Sequence, residues 1–143
     1  MSETLPAPRS RRAPRIKGTI GGVLVLTLLS LLGCAPEGKG AAAAAQKFHK
    51  EVSSGNTSEA CSMLGQEALE KAGGETECEE QLESVELAGS GQPLRTEVFG
   101  REAMVEFEDD VVFLVASGSG WKISGAGCTP QGESPYKCEV GGK

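Results

Sequence analysis

Ala103 to Ser124 reads AMVEFEDDVVFLVASGSGWKIS, and this stretch decides the fold. Apolar and charged residues alternate up to Asp109-Asp110, which predicts a strand followed by a tight turn. The run Val111 to Ala116 is continuously apolar, as expected of a central strand that is covered on both faces. A Gly-Ser-Gly turn then leads to Trp121 and Ile123, which alternate with polar residues. The stretch therefore predicts three consecutive antiparallel strands.

One further strand is predicted on each side of this stretch. Leu94 to Val98 alternates between apolar and polar residues, and Tyr136 to Val140, with Cys138 at its centre, alternates in the same way near the end of the chain. Alternation of this kind is typical of strands that cover a core with one face. Together the segments predict an antiparallel meander.

Helical spacing replaces this alternation upstream of the sheet. Apolar residues recur at helical intervals from Ala41 to Val52, and again after Asn56, where Gly65 can divide the helix into two pieces. Asn56 and Thr76 each stand three residues before a glutamate, which predicts a capping box at the start of the second and of the last helix. Helices followed by an antiparallel meander predict an α+β fold, with N-terminal helices packed on a curved sheet.

The N-terminus has the features of an export signal. Five basic residues and one acidic residue precede the apolar run Ile20 to Leu32. A basic segment followed by a short apolar segment is the pattern of a signal peptide. The alternative is an uncleaved anchor, but a membrane-spanning helix needs about 20 apolar residues and this run is shorter.

Leu31-Leu32-Gly33-Cys34 resembles the lipobox of bacterial lipoproteins. The resemblance implies that Cys34 receives a diacylglyceryl group and becomes the new N-terminus after cleavage. Two acyl chains hold a protein stably on a bilayer. We therefore expect a signal peptide at residues 1–33, a flexible tether at 34–40 and a folded domain at 41–143, attached to the extracytoplasmic face of the cell membrane.

The mature chain is strongly acidic. Cleavage removes five of the 14 basic residues and one of the 20 acidic ones, which leaves 9 against 19 and a net charge of -10. Such a charge argues against nucleic acid as a partner, because phosphates require basic surfaces. It is compatible with an acidic docking surface for another protein, and equally with a solvated face that has no partner.

Four cysteines remain once Cys34 is assigned to the lipid, an even number that suits disulfides in an oxidising compartment. Three pairings are possible. Pairing Cys61 with Cys78 and Cys128 with Cys138 is favoured, because both pairs are close in sequence and turn-forming residues separate their members. A metal site is disfavoured, since no histidine and no Cys-x-x-Cys motif accompanies these cysteines.

Two longer segments carry a further resemblance. FHKEVSSGNTSEACSML at residues 48–64 and GWKISGAGCTPQGESPYKCEV at 120–140 resemble the small NTF2-like lipoproteins of high-GC Gram-positive bacteria. The resemblance covers most of residues 41–140. It implies a cone in which helices close over a bent sheet and leave a cavity. A fold does not by itself supply a function.

Residues with catalytic potential are few. The only histidine, His49, is predicted to be a partly exposed helix residue, and Glu106 and Glu108 share one face of a strand. Tyr136 is predicted to pack within the disulfide hairpin. No nucleophile-elbow, phosphate-loop, zinc, haem or nucleotide motif is present, so the sequence predicts neither a cofactor nor a metal, and no enzyme.

Three functions follow from these patterns. The favoured one is a non-catalytic lipoprotein that binds a small apolar ligand or a peptide in its cone. The second is an interaction module that presents an acidic helical face, with Glu77, Glu79 and Glu80, to another envelope protein. The third is an enzyme similar to ketosteroid isomerase, which would place a carboxylate inside the cone. The apolar residues expected to line the pocket are Phe99, Val105, Phe107, Val115 and Trp121.

Overall fold

The structure is a computed structural model, and it describes residues 37–87, 91–118 and 120–142. Contacts within the chain separate it into two units, Met1–Cys34 and Ala35–Lys143, and every described residue belongs to the second. The predicted signal peptide, the lipid attachment site Cys34 and the first residues of the predicted tether lie outside the described residues.

Helices come first in the described part of the chain, as predicted, and strands follow. The helices are α1 (Gly38–Ser53), α2 (Thr57–Ser62), α3 (Gln66–Lys71) and α4 (Cys78–Glu83). The predicted break at Gly65 is confirmed, since this glycine precedes the first residue of α3 in extended conformation. The α+β class is therefore confirmed for the described residues.

Helix α1 begins within the segment that was predicted to be a tether. Its first residue is Gly38, three residues before the predicted start of the domain at Ala41. Trp121 accounts for this early start. Its Nε1 donates a hydrogen bond to the carbonyl oxygen of Glu37 at 3.2 Å, and a Cβ on Gly40 would lie 3.2 Å from its ring. A tertiary contact thus orders glycines that have a low helix propensity.

The two predicted capping boxes are absent. The Asn56 side chain makes no cap hydrogen bond, and its Nδ2 instead donates to Glu51 Oε2 at 2.6 Å. Helix α4 starts at Cys78, two residues after Thr76, because the Cys78 amide donates to the carbonyl oxygen of Gly74 in a preceding turn. The prediction of both caps was therefore wrong, although the helices themselves form.

The sheet is antiparallel throughout and follows the chain in the order β1-β2-β3-β4-β5, with β6 also paired to β4. Its strands are β1 (Arg95–Phe99), β2 (Glu102–Glu106), β3 (Val111–Ser117), β4 (Gly120–Gln131), β5 (Ser134–Lys137) and β6 (Val140–Gly141). The meander predicted from the sequence is present. Strand β4 is longer than predicted, and the predicted last strand is divided between β5 and β6.

Strand β4 is bordered by two different segments on the edge away from β3. At Ile123 the amide donates to the carbonyl oxygen of Met63, and the carbonyl oxygen accepts from the Gly65 amide. Further along, β6 pairs with β4 through Gly125 and Gly141. A Cβ on Gly141 would lie 2.5 Å from the Ser124 carbonyl oxygen, so glycine permits this close approach.

The two faces of the sheet have different surroundings. Val105 pairs with Val112, and Ala103 pairs with Leu114; all four side chains are buried beneath the helices. We call this the inner face. Successive strand residues point to opposite faces, so Phe113 belongs to the other side, which we call the outer face and which also carries Glu102, Met104 and Val115. Phe113 and Val115 are only half-buried, so β3 is fully covered on its inner face alone.

The core lies between the helices and the inner face. Phe48 from α1, Leu82 from α4, Leu114 from β3 and Ile123 from β4 are all at most 1% exposed. Small alanines on the helices let the backbones approach the sheet, and they are buried as well: Ala41, Ala45, Ala60, Ala68 and Ala72. This interior is filled by side chains.

Candidate functional site

A cavity of about 310 Å³ lies beside the bulge of β4. It is lined mainly by apolar groups from the sheet and from β5: Ala103, Phe113, Leu114, Pro135 and Tyr136, together with Cys138. Ligand pockets in proteins typically measure about 300 to 1,000 Å³ and are mostly apolar. The volume is sufficient for one small molecule.

The hairpin formed by β4 and β5 builds one wall of the cavity. Disulfide Cys128–Cys138 closes this hairpin, and the Tyr136 ring packs edge-on against Phe113 with ring centroids 5.1 Å apart. Tyr136 is nonetheless 37% exposed. The disulfide therefore holds an aromatic residue over the outer face without burying it.

A bulge shapes the floor of the cavity. Leu114 pairs with Ile123, whereas the preceding residue, Phe113, pairs with Gly125, so Ser124 is an extra residue in β4. Bulges bend a strand and redirect its side chains. The half-buried Ser124 lines the cavity and contributes a hydroxyl group to an otherwise apolar floor.

Two carboxylates complete the lining, Glu67 from α3 and Glu102 from the start of β2. Glu67 pairs with Lys71 at 3.3 Å, and the Lys71 ammonium also donates to the carbonyl oxygen of Gly142. The lining itself contains no lysine, arginine or histidine. The charged side chains of the lining are therefore both acidic.

The residues predicted to line a pocket lie elsewhere. Val105 and Phe107 are buried in the core, at 0% and 4% exposure, because they face the helices and contribute to the filled interior. Phe99 is 60% exposed at the end of β1, while Val115 and Trp121 are half-buried. None of these five residues lines the cavity described above. The sequence pattern identified apolar strand positions but not the hairpin that forms a wall.

His49 is buried, which corrects the prediction of a partly exposed helix residue. It is 2% exposed, its Nε2 lies 3.2 Å from Asp110 Oδ2, and its ring contacts Phe107 with centroids 4.5 Å apart. The contact with Asp110 lacks hydrogen-bond geometry. Asp110 Oδ2 also accepts the Gly127 amide at 3.1 Å. The pair joins α1 to the β2–β3 turn and, through Asp110, to β4.

Sequence reasoning missed this pair because it treated each partner alone. Asp110 was assigned to a tight turn, and that turn forms, since the Phe107 amide donates to the Asp110 carbonyl oxygen at 2.9 Å. The signal that could have found the pair is that the second aspartate precedes a wholly apolar strand. The pair lies away from the cavity lining and has a structural role.

The disulfides join Cys61 with Cys78 and Cys128 with Cys138, so the predicted presence of disulfides is confirmed. Cys61, Cys78 and Cys128 are buried, and Cys138 is half-buried in the wall of the cavity. No cluster of three or more metal-ligating side chains occurs among the described residues.

Other candidate groups lie at the surface. Glu108 is exposed and Glu106 is half-buried on the outer face of β2, and neither lines the cavity. Glu77, Glu79 and Glu80 are all exposed at the start of α4. These residues are therefore available to solvent.

Comparison with protein-family models, with curated proteins and with solved structures finds no match for this chain. Within residues 37–87, 91–118 and 120–142, no helix is long and apolar enough to cross a membrane.

Proposed function

We propose that this protein is an exported, lipid-anchored binding protein that holds a small, largely apolar ligand in the cavity beneath the β4–β5 hairpin. The observation that carries the proposal is the cavity itself, which combines an apolar floor with a few polar groups. That combination is typical of sites that bind small molecules. The groups around it provide binding, and the proposed role is non-catalytic.

The lipid anchor rests on the sequence. A basic segment, an apolar run and Leu31-Leu32-Gly33-Cys34 follow one another in the order of a lipoprotein signal. Two disulfides in a domain of this size support an oxidising, extracytoplasmic location. We propose that Cys34 carries the diacylglyceryl group and that the domain lies outside the membrane, on a short tether.

An NTF2-like fold is part of the proposal. Its support is the order of elements, with helices packed on one face of an antiparallel sheet. The space between the helices and the sheet is filled by residues such as Phe48 and Leu114. We therefore propose the hairpin cavity, rather than the interior of a cone, as the binding site.

Native mass spectrometry tests ligand binding. The full-length gene would be expressed in an envelope-containing host, and the exported protein would be extracted in mild detergent. We expect a mass excess that is lost on denaturation, unlike a covalent lipid. Tyr136→Ala should reduce it by removing one wall, while Phe99→Ala, which truncates an exposed aromatic residue outside the cavity, should retain it. Equal masses before and after denaturation would contradict binding of a captive ligand.

Metabolic labelling tests the anchor. The wild-type protein should incorporate labelled palmitate and sediment with membranes, whereas Cys34→Ala should remain unlabelled. Ser30→Ala, which alters the apolar run but leaves the cysteine, serves as the matched control and should be labelled. Label retained in Cys34→Ala would remove Cys34 as the attachment site.

A second function is favoured by the acidic surface around α4. Glu75, Glu77, Glu79, Glu80, Glu83 and Glu86 are exposed, and no ion pair involving them occurs among the described residues. Such a surface can bind a basic face of another envelope protein. Replacing Glu77, Glu79 and Glu80 by lysine should then abolish co-purification of that partner, and unchanged recovery would contradict this function.

A further inference from the structure

We infer that two copies of this protein associate edge to edge through strand β1, with the two strands antiparallel about a twofold axis at Thr96. No residue of β1 lines the hairpin cavity, so the inference goes beyond the proposed function and does not depend on it. It is carried by three properties of β1: a free edge, exposed apolar side chains beside it, and two opposite charges that complement a second copy of themselves.

Strand β1 has a free edge. It is the first strand in the order of the sheet and, within the part of the chain that the structure describes, it pairs only with β2. An edge strand directs part of its backbone N–H and C=O groups away from the sheet, where they can pair with a strand of another chain. The backbone of β1 is therefore able to accept a further antiparallel strand.

Exposed apolar side chains are concentrated at this edge. Among the described residues four large apolar side chains are exposed, and three of them lie in β1 or directly before it: Leu94 at 68%, Val98 at 37% and Phe99 at 60%. Pro93, at the approach to the strand, is half-buried. An exposed apolar edge strand is a site at which chains associate, because a partner removes this surface from water.

The charges of β1 select a second copy as the partner and fix the register. Arg95 and Glu97 share the outer face of the strand, where they form an ion pair within one chain. An antiparallel copy centred on Thr96 places each Arg95 opposite Glu97 of the second copy, and facing opposite charges stabilise a strand pair. Centring the pairing on Arg95 or on Glu97 would place like charges opposite each other, which is destabilising.

The same register brings the exposed apolar side chains together. Leu94 comes beside Val98 of the second copy, and Phe99 comes beside Pro93 of the second copy. Twofold symmetry repeats each of these contacts. One register thus pairs the backbone, the charges and the apolar side chains of the edge at the same time.

Co-purification tests the association with the full-length, exported protein. Two differently tagged forms would be co-expressed in an envelope-containing host and extracted with detergent in large excess over protein. Each wild-type form should recover the other. When both forms carry Arg95→Glu, or both carry Glu97→Arg, recovery should fall several-fold, because two symmetric attractions become repulsions. Glu80→Arg makes the same change of charge at an exposed residue of α4 and should leave recovery unchanged.

A mixed pair separates contact between copies from contact within one chain. Co-expressing an Arg95→Glu form with a Glu97→Arg form places an acidic residue opposite a basic one in both facing pairs of the interface. The ion pair within each chain stays broken in both forms. Recovery of one form by the other should therefore return to the wild-type level, and thermal unfolding of each variant verifies that it is folded.

Four outcomes would overturn the inference. Failure of the wild-type forms to recover each other excludes the association. Recovery of a different envelope protein alone, lost with Glu97→Arg, assigns the edge to another partner. Equal recovery by wild-type and singly substituted forms assigns the association to another surface or to the lipid anchor. A mixed pair that recovers no better than the single variants shows that Arg95 and Glu97 act within one chain.

Discussion

The two faces of the sheet are built from alternate residues of the same strands, but the helices cover the inner face, and the outer face is partly exposed. On the inner face, Val112 and Leu114 lie at 0% and 1% exposure under the helices. Between them in sequence, Phe113 points to the outer face and is half-buried, although both Phe113 and Leu114 contribute to the cavity lining. The difference teaches that alternate residues of one strand can fill the core on one side of the sheet and leave an aromatic ring partly accessible on the other.

The two disulfides also lie in different parts of the domain, one in the helical layer and one in the β4–β5 hairpin. Cys61–Cys78 joins α2 to α4, and both of its members are buried in the helical layer. Cys128–Cys138 closes the hairpin that forms a wall of the cavity, and Cys138 itself belongs to the lining. One crosslink therefore supports the covered side of the molecule and the other supports the proposed binding side.

The largest loss of stability is expected from the buried pair of the inner side. Asp110→Ala leaves His49 buried without its partner and removes the acceptor of the Gly127 amide. Leaving a buried polar group without its partner costs about 1 to 3 kcal/mol, and this substitution affects two such groups. Urea unfolding at neutral pH measures the loss. Asp109→Ala, at the exposed neighbour, is the control, and an equal loss in both variants would contradict the assigned role.

The second prediction compares the neighbours Leu114 and Phe113. Leu114→Ala should lower the free energy of unfolding by about 2 to 5 kcal/mol, as expected for a buried leucine. Phe113→Ala removes a larger side chain but a half-buried one, and should cost about 1 kcal/mol. Both side chains line the cavity, and ligand binding, measured where both variants remain folded, should fall more for Phe113→Ala because the partly accessible Phe113 ring also packs against Tyr136. A Phe113 variant as unstable as the Leu114 variant would show that the outer face belongs to the core.

The third prediction compares the disulfides. Replacing both members of either pair by alanine should destabilise the protein by about 2 to 3 kcal/mol, because the loops are of similar length, with separations of 17 and 10 residues. Ligand binding, measured at a temperature where both variants remain folded, should be lost only without Cys128–Cys138. Equal effects on binding would show that the hairpin does not define the site.

The architecture was accessible from the sequence because local patterns control it. Gly65 divides the second helical segment where predicted, and the alternation in β1 and β2 places strands within a residue or two of their observed bounds. Cysteine spacing led to the favoured pairs. In each of these cases the deciding interactions connect residues that are close in the chain.

The site was not accessible, because it depends on contacts between distant segments. The cavity combines Glu67 of α3 with Glu102 of β2 and with Tyr136 of the hairpin, and no local pattern relates these residues. His49 and Asp110 are separated by 61 positions. Their contact could not be predicted from a local pattern either. Periodicity identified which strand positions were apolar, but it could not tell a filled face from a face with a cavity.

The smallest effect is expected from the exposed pair of Lys47 and Glu59, which joins α1 to α2 at 2.5 Å. The hydrogen bond and charge of Lys47 hold the pKa of Glu59 below its ordinary value of 4.5, and those of Glu59 raise the pKa of Lys47 above 10.5. A lowered carboxylate pKa gives stability that is lost as pH falls through the folded-state value. A raised lysine pKa gives stability that is lost as pH rises through its own folded-state value.

A double-mutant cycle with Lys47→Met and Glu59→Gln should thus yield a small coupling energy that is constant near neutral pH, disappears at both extremes of pH and weakens with salt. A coupling that persists in acid, where Glu59 is protonated, would show that the two side chains interact by packing rather than by charge.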